Sequence, residues 1–193
     1  MDQPGRKTAF VSRGGDKLAA ALDGFSLNPG GLTCADLGCN VGGFVDCLLT
    51  RGAARVYAID TGYGALDYRL RKDPRVAVME RTNALHVTLS EPVQLVTIDV
   101  AWTKQERILP AAARLLGPGG KVITLIKPAY ELGPAALREG RLSDEQAAEV
   151  IAKLRQQVAD TPARFGLRWL ADIPSPVRTG KDNPEFLAML EKN

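Results

Sequence analysis

Asp36-Leu-Gly38-Cys39-Asn40-Val41-Gly42-Gly43-Phe44 is the stretch that decides the fold. It leaves a short strand-like run, Leu32–Leu37, and opens a helix-like one, Phe44–Arg51. A glycine-rich turn between a strand and a helix lets a ligand approach the backbone closely. The spacing Asp-x-Gly-x-x-x-Gly-Gly departs from the Gly-x-Gly-x-x-Gly of dinucleotide folds, which argues against a nicotinamide cofactor. An acidic residue at the head of the turn suits a cationic or hydroxylated ligand better than a phosphate. S-adenosylmethionine carries an amino group and a sulfonium but no phosphate. Asp36, Gly38, Cys39, Asn40, Gly42, Gly43 and Phe44 are therefore the expected cofactor-binding residues of this turn.

Outward from the turn, strand-like and helix-like runs alternate. Arg55–Asp60, Arg75–Glu80, Val93–Val100 and Lys121–Lys127 read as further strands, with Gly64–Arg71 and Thr103–Leu116 as helices between them. This alternation predicts an α/β fold of Rossmann-like type, with a mostly parallel central sheet and helices on both faces. Val93–Ile98 and Val122–Ile126 are almost continuously apolar, as strands buried on both faces are. A leading helix is expected at Asp16–Leu22. Another starts at Ser143, where Ser143 and Gln146 fit a capping box and Ala147, Val150, Ile151, Leu154 and Val158 share one face. Arg168–Ile173 and Pro184–Leu190 read as an antiparallel hairpin closing the sheet edge, joined by the loop Pro174–Pro184. No linker interrupts the pattern, so residues 1–193 are expected to form one domain.

Polar residues end the apolar strands. Asp60 lies 24 residues after Asp36, near the distance at which an acidic residue accepts hydrogen bonds from ribose hydroxyls. Asn83 can offer an amide to an adenine edge. Asp99 ends the fourth strand, and Lys127 the fifth, where Pro128 keeps its backbone extended. Open α/β sheets bind ligands at the carboxyl ends of their strands, so these residues in register mark a site.

Composition narrows the class. With 45% hydrophobic and 24% charged residues the chain is neither disordered nor a disulfide scaffold. A net charge of +3 permits a nucleic-acid partner without demanding one. Cys34, Cys39 and Cys47 are odd in number and His86 is the only histidine. That pattern predicts reduced thiols in a cytoplasmic protein and no metal site. Neither a signal peptide nor an apolar run of about 18 residues is evident, so no membrane partner is expected.

A set of motifs follows in order along the chain: Val11-Ser-Arg-Gly-Gly-Asp-Lys17-Leu, the Asp36–Phe44 turn, Arg51-Gly-Ala, Val56-Tyr-Ala-Ile-Asp60, Gly62-Tyr-Gly64, Arg75-Val, Glu80-Arg-Thr-Asn83, Leu125-Ile-Lys-Pro128 and Asn183-Pro-Glu-Phe186. Together they resemble the FtsJ-like methyltransferase domain of the hemolysin TlyA family, from about Val11 onward. The resemblance implies transfer of a methyl group from S-adenosylmethionine to ribose 2′-hydroxyls of ribosomal RNA by a Lys-Asp-Lys-Glu tetrad. The matching positions are Lys17, Asp99, Lys127 and Glu185.

Two departures stand out. About ten residues precede the Ser12-Arg-Gly-Gly motif, where the family carries an N-terminal RNA-binding domain. The family's Asp-Val-Ser-Phe is Asp99-Val-Ala101-Trp102, and its Lys-Pro-Gln-Phe-Glu is Lys127-Pro-Ala129-Tyr130-Glu131. RNA is the expected partner, with Arg6, Lys7, Arg13, Arg71, Lys72 and Arg75 as phosphate contacts and Trp102 as a base-stacking residue or a core aromatic. A methyltransferase of the same fold acting on a small molecule, and a binding protein without chemistry, remain open from sequence, as does the oligomeric state.

Overall fold

The protein is described by a computed structural model, over residues 8–177 and 183–193. Arg6 and Lys7 lie outside the described residues, as does the middle of the Pro174–Pro184 loop. Seven strands form one sheet: β1 (Thr33–Leu37), β2 (Arg55–Ile59), β3 (Val76–Met79), β4 (Val93–Ile98), β5 (Leu116–Ile126), β6 (Leu167–Pro174) and β7 (Phe186–Lys192). Their order is β3-β2-β1-β4-β5-β7-β6. β1 to β5 pair in parallel, whereas β7 runs antiparallel to both β5 and β6. The predicted hairpin is present, with its second strand against β5 and its first at the edge.

Helices cover both faces, and side-chain alternation divides the core between them. Cys34, Val56, Leu95 and Ile123 pack under α1 (Arg13–Gly24), α2 (Gly43–Thr50) and α3 (Tyr68–Lys72). Ala35, Tyr57, Val96 and Val122 pack under α4 (Gln105–Leu115), α7 (Asp144–Asp160) and α8 (Pro162–Phe165). The apolar strands are thus continuous because both faces are covered. On α7 the capping box forms, Ser143 Oγ accepting from Gln146 N at 3.1 Å and Gln146 Oε1 from Ser143 N at 2.9 Å. Its five predicted core residues are all buried.

The structure corrects several extents. The helix expected over Gly64–Arg71 shrinks to α3, because Gly64 sits at φ +74° and Asp67 starts the helix by accepting from Arg69 N. The first helix is longer than expected, and β5 begins at Leu116, with its pairing to β4 shifted between Val93 and Leu95. Beyond β5, Pro128 and Pro134 open two short helices, α5 (Pro128–Leu132) and α6 (Pro134–Glu139). Lys127 accordingly N-caps α5 instead of ending a strand. No helix among the described residues is long and apolar enough to cross a membrane.

Candidate active site

Strand order reverses between β1 and β4, and the crevice at such a switch point is where open α/β sheets bind ligands. Two adjoining cavities, of about 330 and 320 Å³, open there and share Gly38, Asn40, Asp99 and Ala101. The first is lined by Lys17, Asp36, Cys39, Gly43, Phe44 and Lys127 among others, the second by Asp60, Thr82, Asn83 and Trp102. Sequence reasoning missed Ser12 as a lining residue of the first.

The loop between β1 and α2 is held from both sides. Gly38 N donates to Ile59 O at 2.9 Å, and Asn40 N to Asp60 Oδ2 at 2.9 Å. Gly38, at φ +87°, passes so close to Asp99 that a Cβ would lie 2.6 Å from its carbonyl oxygen. Gly43 lets α1 lie on α2, since a Cβ there would meet Gly15 N at 2.9 Å. Gly42 departs from expectation. It lines neither cavity, and at φ +99° its absent Cβ would run into the side-chain ends of Leu66 and Leu70. A glycine there is required by the left-handed backbone and by the packing against Leu66 and Leu70.

Asp36 is 1% exposed. The β1–β4 register sets it beside Thr97, whose hydroxyl donates to Asp36 Oδ1 at 2.7 Å; Oδ2 is buried without a partner. Burial pushes the carboxyl up to about 8, against the Thr97 hydrogen bond and aided by the charges of Asp99 and Asp60. In the unfolded chain it ionises near 3.8, so between about 4 and 8 the folded protein holds a proton that the unfolded chain has lost. Stability from this group is therefore full below pH 4 and is lost as pH rises to 8, by on the order of a few kcal/mol. Asp73, Glu80 and Glu191 are held low by arginine or lysine partners, so their contribution to stability runs the other way, whereas burial raises Glu131 in the same sense as Asp36. Asp36→Asn is expected to flatten the pH 5–8 slope in urea denaturation; an unchanged slope would remove Asp36 as its source.

Asp60 Oδ1 also accepts from Gly62 N at 2.7 Å, which fixes the carboxylate at the rim of the second cavity. Asn83 Oδ1 accepts from Leu85 N at 2.9 Å, leaving the amide NH₂ to donate. All three cysteines are free and buried. Burial pushes Cys34 and Cys47 to about 12 and raises Cys39 as well, so no thiolate stands ready as a nucleophile.

Four charged residues from distant parts of the chain meet in two ion pairs. Lys127 Nζ lies 2.6 Å from Asp99 Oδ1, and Lys17 Nζ lies 2.5 Å from Glu185 Oε2. Lys17, Asp99 and Lys127 line the first cavity; Glu185 joins them through Lys17. A family model described as FtsJ-like methyltransferase matches residues 10–162. The chain belongs to the FtsJ-like methyltransferase family.

Relatives agree. The 16S/23S rRNA (cytidine-2′-O)-methyltransferase TlyA of Mycobacterium tuberculosis is 39% identical over 94% of this chain and 68% of its own length. Hemolysin A of Brachyspira hyodysenteriae is 31% identical over 93% of this chain and 75% of its own. A solved chain from Streptococcus thermophilus, provisionally described as a hemolysin, superposes with a TM-score of 0.87 at 35% identity, over 98% of this chain and 70% of that one. The N-methyltransferase NodS from Bradyrhizobium japonicum, at 15% identity and a TM-score of 0.61, over 93% of this chain and 94% of that one, shares the fold.

In this FtsJ-like chain, Trp102 is no core aromatic: it is 73% exposed. It adopts φ +60° and stacks on Tyr130, with ring centroids 4.8 Å apart. Tyr130 in turn lies 5.9 Å from Lys127 Nζ. From sequence Tyr130 stood out only as a departure from the family motif; its place three residues after Lys127 puts it on the first turn of α5, against Trp102. Among the expected phosphate contacts, Arg71 is paired with Glu80 and Arg75 with Asp73, so neither stands free. Arg13 lines the first cavity, and Lys72 lies over the exposed Tyr68 ring.

Proposed function

We propose that this chain, as a single FtsJ-like domain of the cytoplasm, transfers a methyl group from S-adenosylmethionine to a ribose 2′-hydroxyl of ribosomal RNA, with Lys17, Asp99, Lys127 and Glu185 at the reaction centre. The observation that carries this reading is the Lys127–Asp99 pair at the wall shared with the cofactor crevice.

The residues present fit the cofactor. Asp36 Oδ2 is buried without a partner; the cofactor's ammonium would favour the ionised carboxylate and donate to that oxygen. Asp60 and the free NH₂ of Asn83 share the second cavity, where a ribose diol and an adenine edge would find acceptor and donor. When bound, S-adenosylmethionine supplies an electrophilic methyl group on a sulfonium. Lys127 would take the proton of the attacking 2′-hydroxyl as its oxygen gains the methyl carbon, the methyl–sulfur bond breaking to leave a neutral thioether. Asp99 holds the Lys127 amine in place, and Glu185 holds Lys17 against the first cavity. Trp102, exposed beside the crevice, offers a face for a base of the acceptor strand.

Labelled S-adenosylmethionine incubated with the protein and ribosomal RNA tests this. The expected product is a 2′-O-methylnucleoside after complete digestion. Label recovered in a methylated base, or in no RNA at all, would overturn the reading. With a net charge of +3, RNA binding is expected to weaken with salt at a log–log slope of roughly −0.7 per phosphate contacted on a single strand. A salt-insensitive complex would count against phosphate contacts as its basis.

A further inference from the structure

The loops that carry Asp99 and Lys127 are tied together by side chains outside the tetrad. α4 begins without a cap of its own, since the side chain of its N-cap residue Lys104 makes no capping hydrogen bond. The cap comes from α5: Glu131 Oε1 accepts from Gln105 N at 3.0 Å. Gln105 is itself buried, and its Oε1 accepts from Thr124 Oγ1 at 2.9 Å. Thr124 lies on β5, three positions before Lys127. On the other side of Lys127, its carbonyl accepts from Tyr130 N at 2.9 Å and from Glu131 N at 3.3 Å. Gln105 is therefore clamped by the two segments that flank Lys127.

Between Asp99 and Gln105 the chain has no strand or helix to stiffen it. It passes through the positive φ of Trp102 and the Thr103 N to Ala101 O contact of 2.7 Å. Asp99 N donates to Leu37 O at 3.0 Å, which fixes one end of this segment on β1; Gln105 fixes the other end, and with it how the Asp99 side chain and Trp102 face Lys127 and Tyr130. A carboxylate at the first turn of an 11-residue helix is also favoured by the helix dipole. Glu131 is half-buried, so removing its carboxylate leaves the Gln105 N–H without its acceptor in a partly dry place.

We propose that Glu131 is a positioning residue: by capping α4 from α5 it holds the Asp99 loop in register with Lys127, and so sets the Asp99–Lys127 contact and the Trp102–Tyr130 stack. This rests on the reading of Asp99 and Lys127 as the reaction centre, but its structural half stands apart from activity and can be read in the free protein.

The test uses the full chain with Trp169→Phe, which leaves Trp102 as the sole tryptophan emitter. Three further variants are compared in that background. Glu131→Ala removes the acceptor, Glu131→Asp keeps the charge but falls short by a methylene, and Glu131→Gln keeps an oxygen at the right reach. In Glu131→Ala and Glu131→Asp, the fast local part of the Trp102 anisotropy decay is expected to grow about twofold, since a side chain freed from its stack moves on the picosecond-to-nanosecond scale. The same two should lose about 10- to 100-fold in kcat, the scale of an ångström-level misplacement, with cofactor affinity little changed. Glu131→Gln should track the parent in both readouts.

Parent-like Trp102 dynamics in Glu131→Asp would overturn the proposal, as would a Glu131→Gln protein as mobile as Glu131→Ala. Should Glu131→Ala fail to fold, the Asp and Gln pair still decides. If the parent itself transfers no methyl group, the proposed function falls while the anisotropy comparison still rules on the cap.

Discussion

Lys127→Arg is expected to lower methyl transfer about a hundredfold or more, the lower end of what a positioned base contributes. The guanidinium keeps the positive charge that Asp99 faces at 2.6 Å but stays protonated, so it cannot accept the hydroxyl proton. Lys127→Ala controls for the larger head of arginine, because it removes bulk and charge together. Cofactor affinity, measured by calorimetry, should change little in either, since Asp36, Asp60 and Asn83 are untouched. Substantial single-turnover activity in folded Lys127→Arg and Lys127→Ala proteins alike would defeat the base role.

Gly42→Val should damage the fold and spare the ligand. A β-branched residue at φ +99° carries backbone strain of about 1–3 kcal/mol. Forcing Leu66 and Leu70 aside adds about 1–3 kcal/mol of overpacking. At about 2–4 °C per kcal/mol for a chain of this size, the melting midpoint should fall by roughly 10 °C. Below that midpoint, cofactor affinity should stay near that of the parent. The opposite pattern, a melt like the parent's with tenfold weaker binding, would return Gly42 to the ligand-binding surface.

Gly42 also shows where sequence stops being informative. A glycine in a strand-to-helix turn announces an unusual backbone, but the direction of its missing Cβ depends on how α3 packs, which is a non-local matter. The parallel strands were legible because burial on both faces leaves long apolar runs in Val93–Ile98 and Val122–Ile126. The α7 cap was legible because Ser143 and Gln146 interact locally. α5 and α6 were not, being too short to show a period and marked only by Pro128 and Pro134. In the site, Asp60 was read from its spacing to Asp36, and Asp36 and Asn83 from their places at strand ends; all three line the crevice. Grouping Lys17 with Glu185 came from family resemblance, and their ion pair from the structure, since no local signal joins residues 168 positions apart. The unpartnered oxygen of Asp36 depends on β1–β4 register, and the Trp102–Tyr130 stack on a positive φ that tryptophan seldom adopts.

β7 sits between β5 and β6, and the residue just before it, Glu185, is the partner of Lys17 on the first helix. During synthesis the cofactor crevice, built from β1, β2 and β4, can form while β7 is still inside the ribosome. Lys17 cannot find its carboxylate until β7 has emerged and slotted against β5, and β6 has no neighbour in the sheet before then. On the proposed reading, holding the cofactor and reacting therefore draw on parts of the chain that are made at different times, β7 being the later.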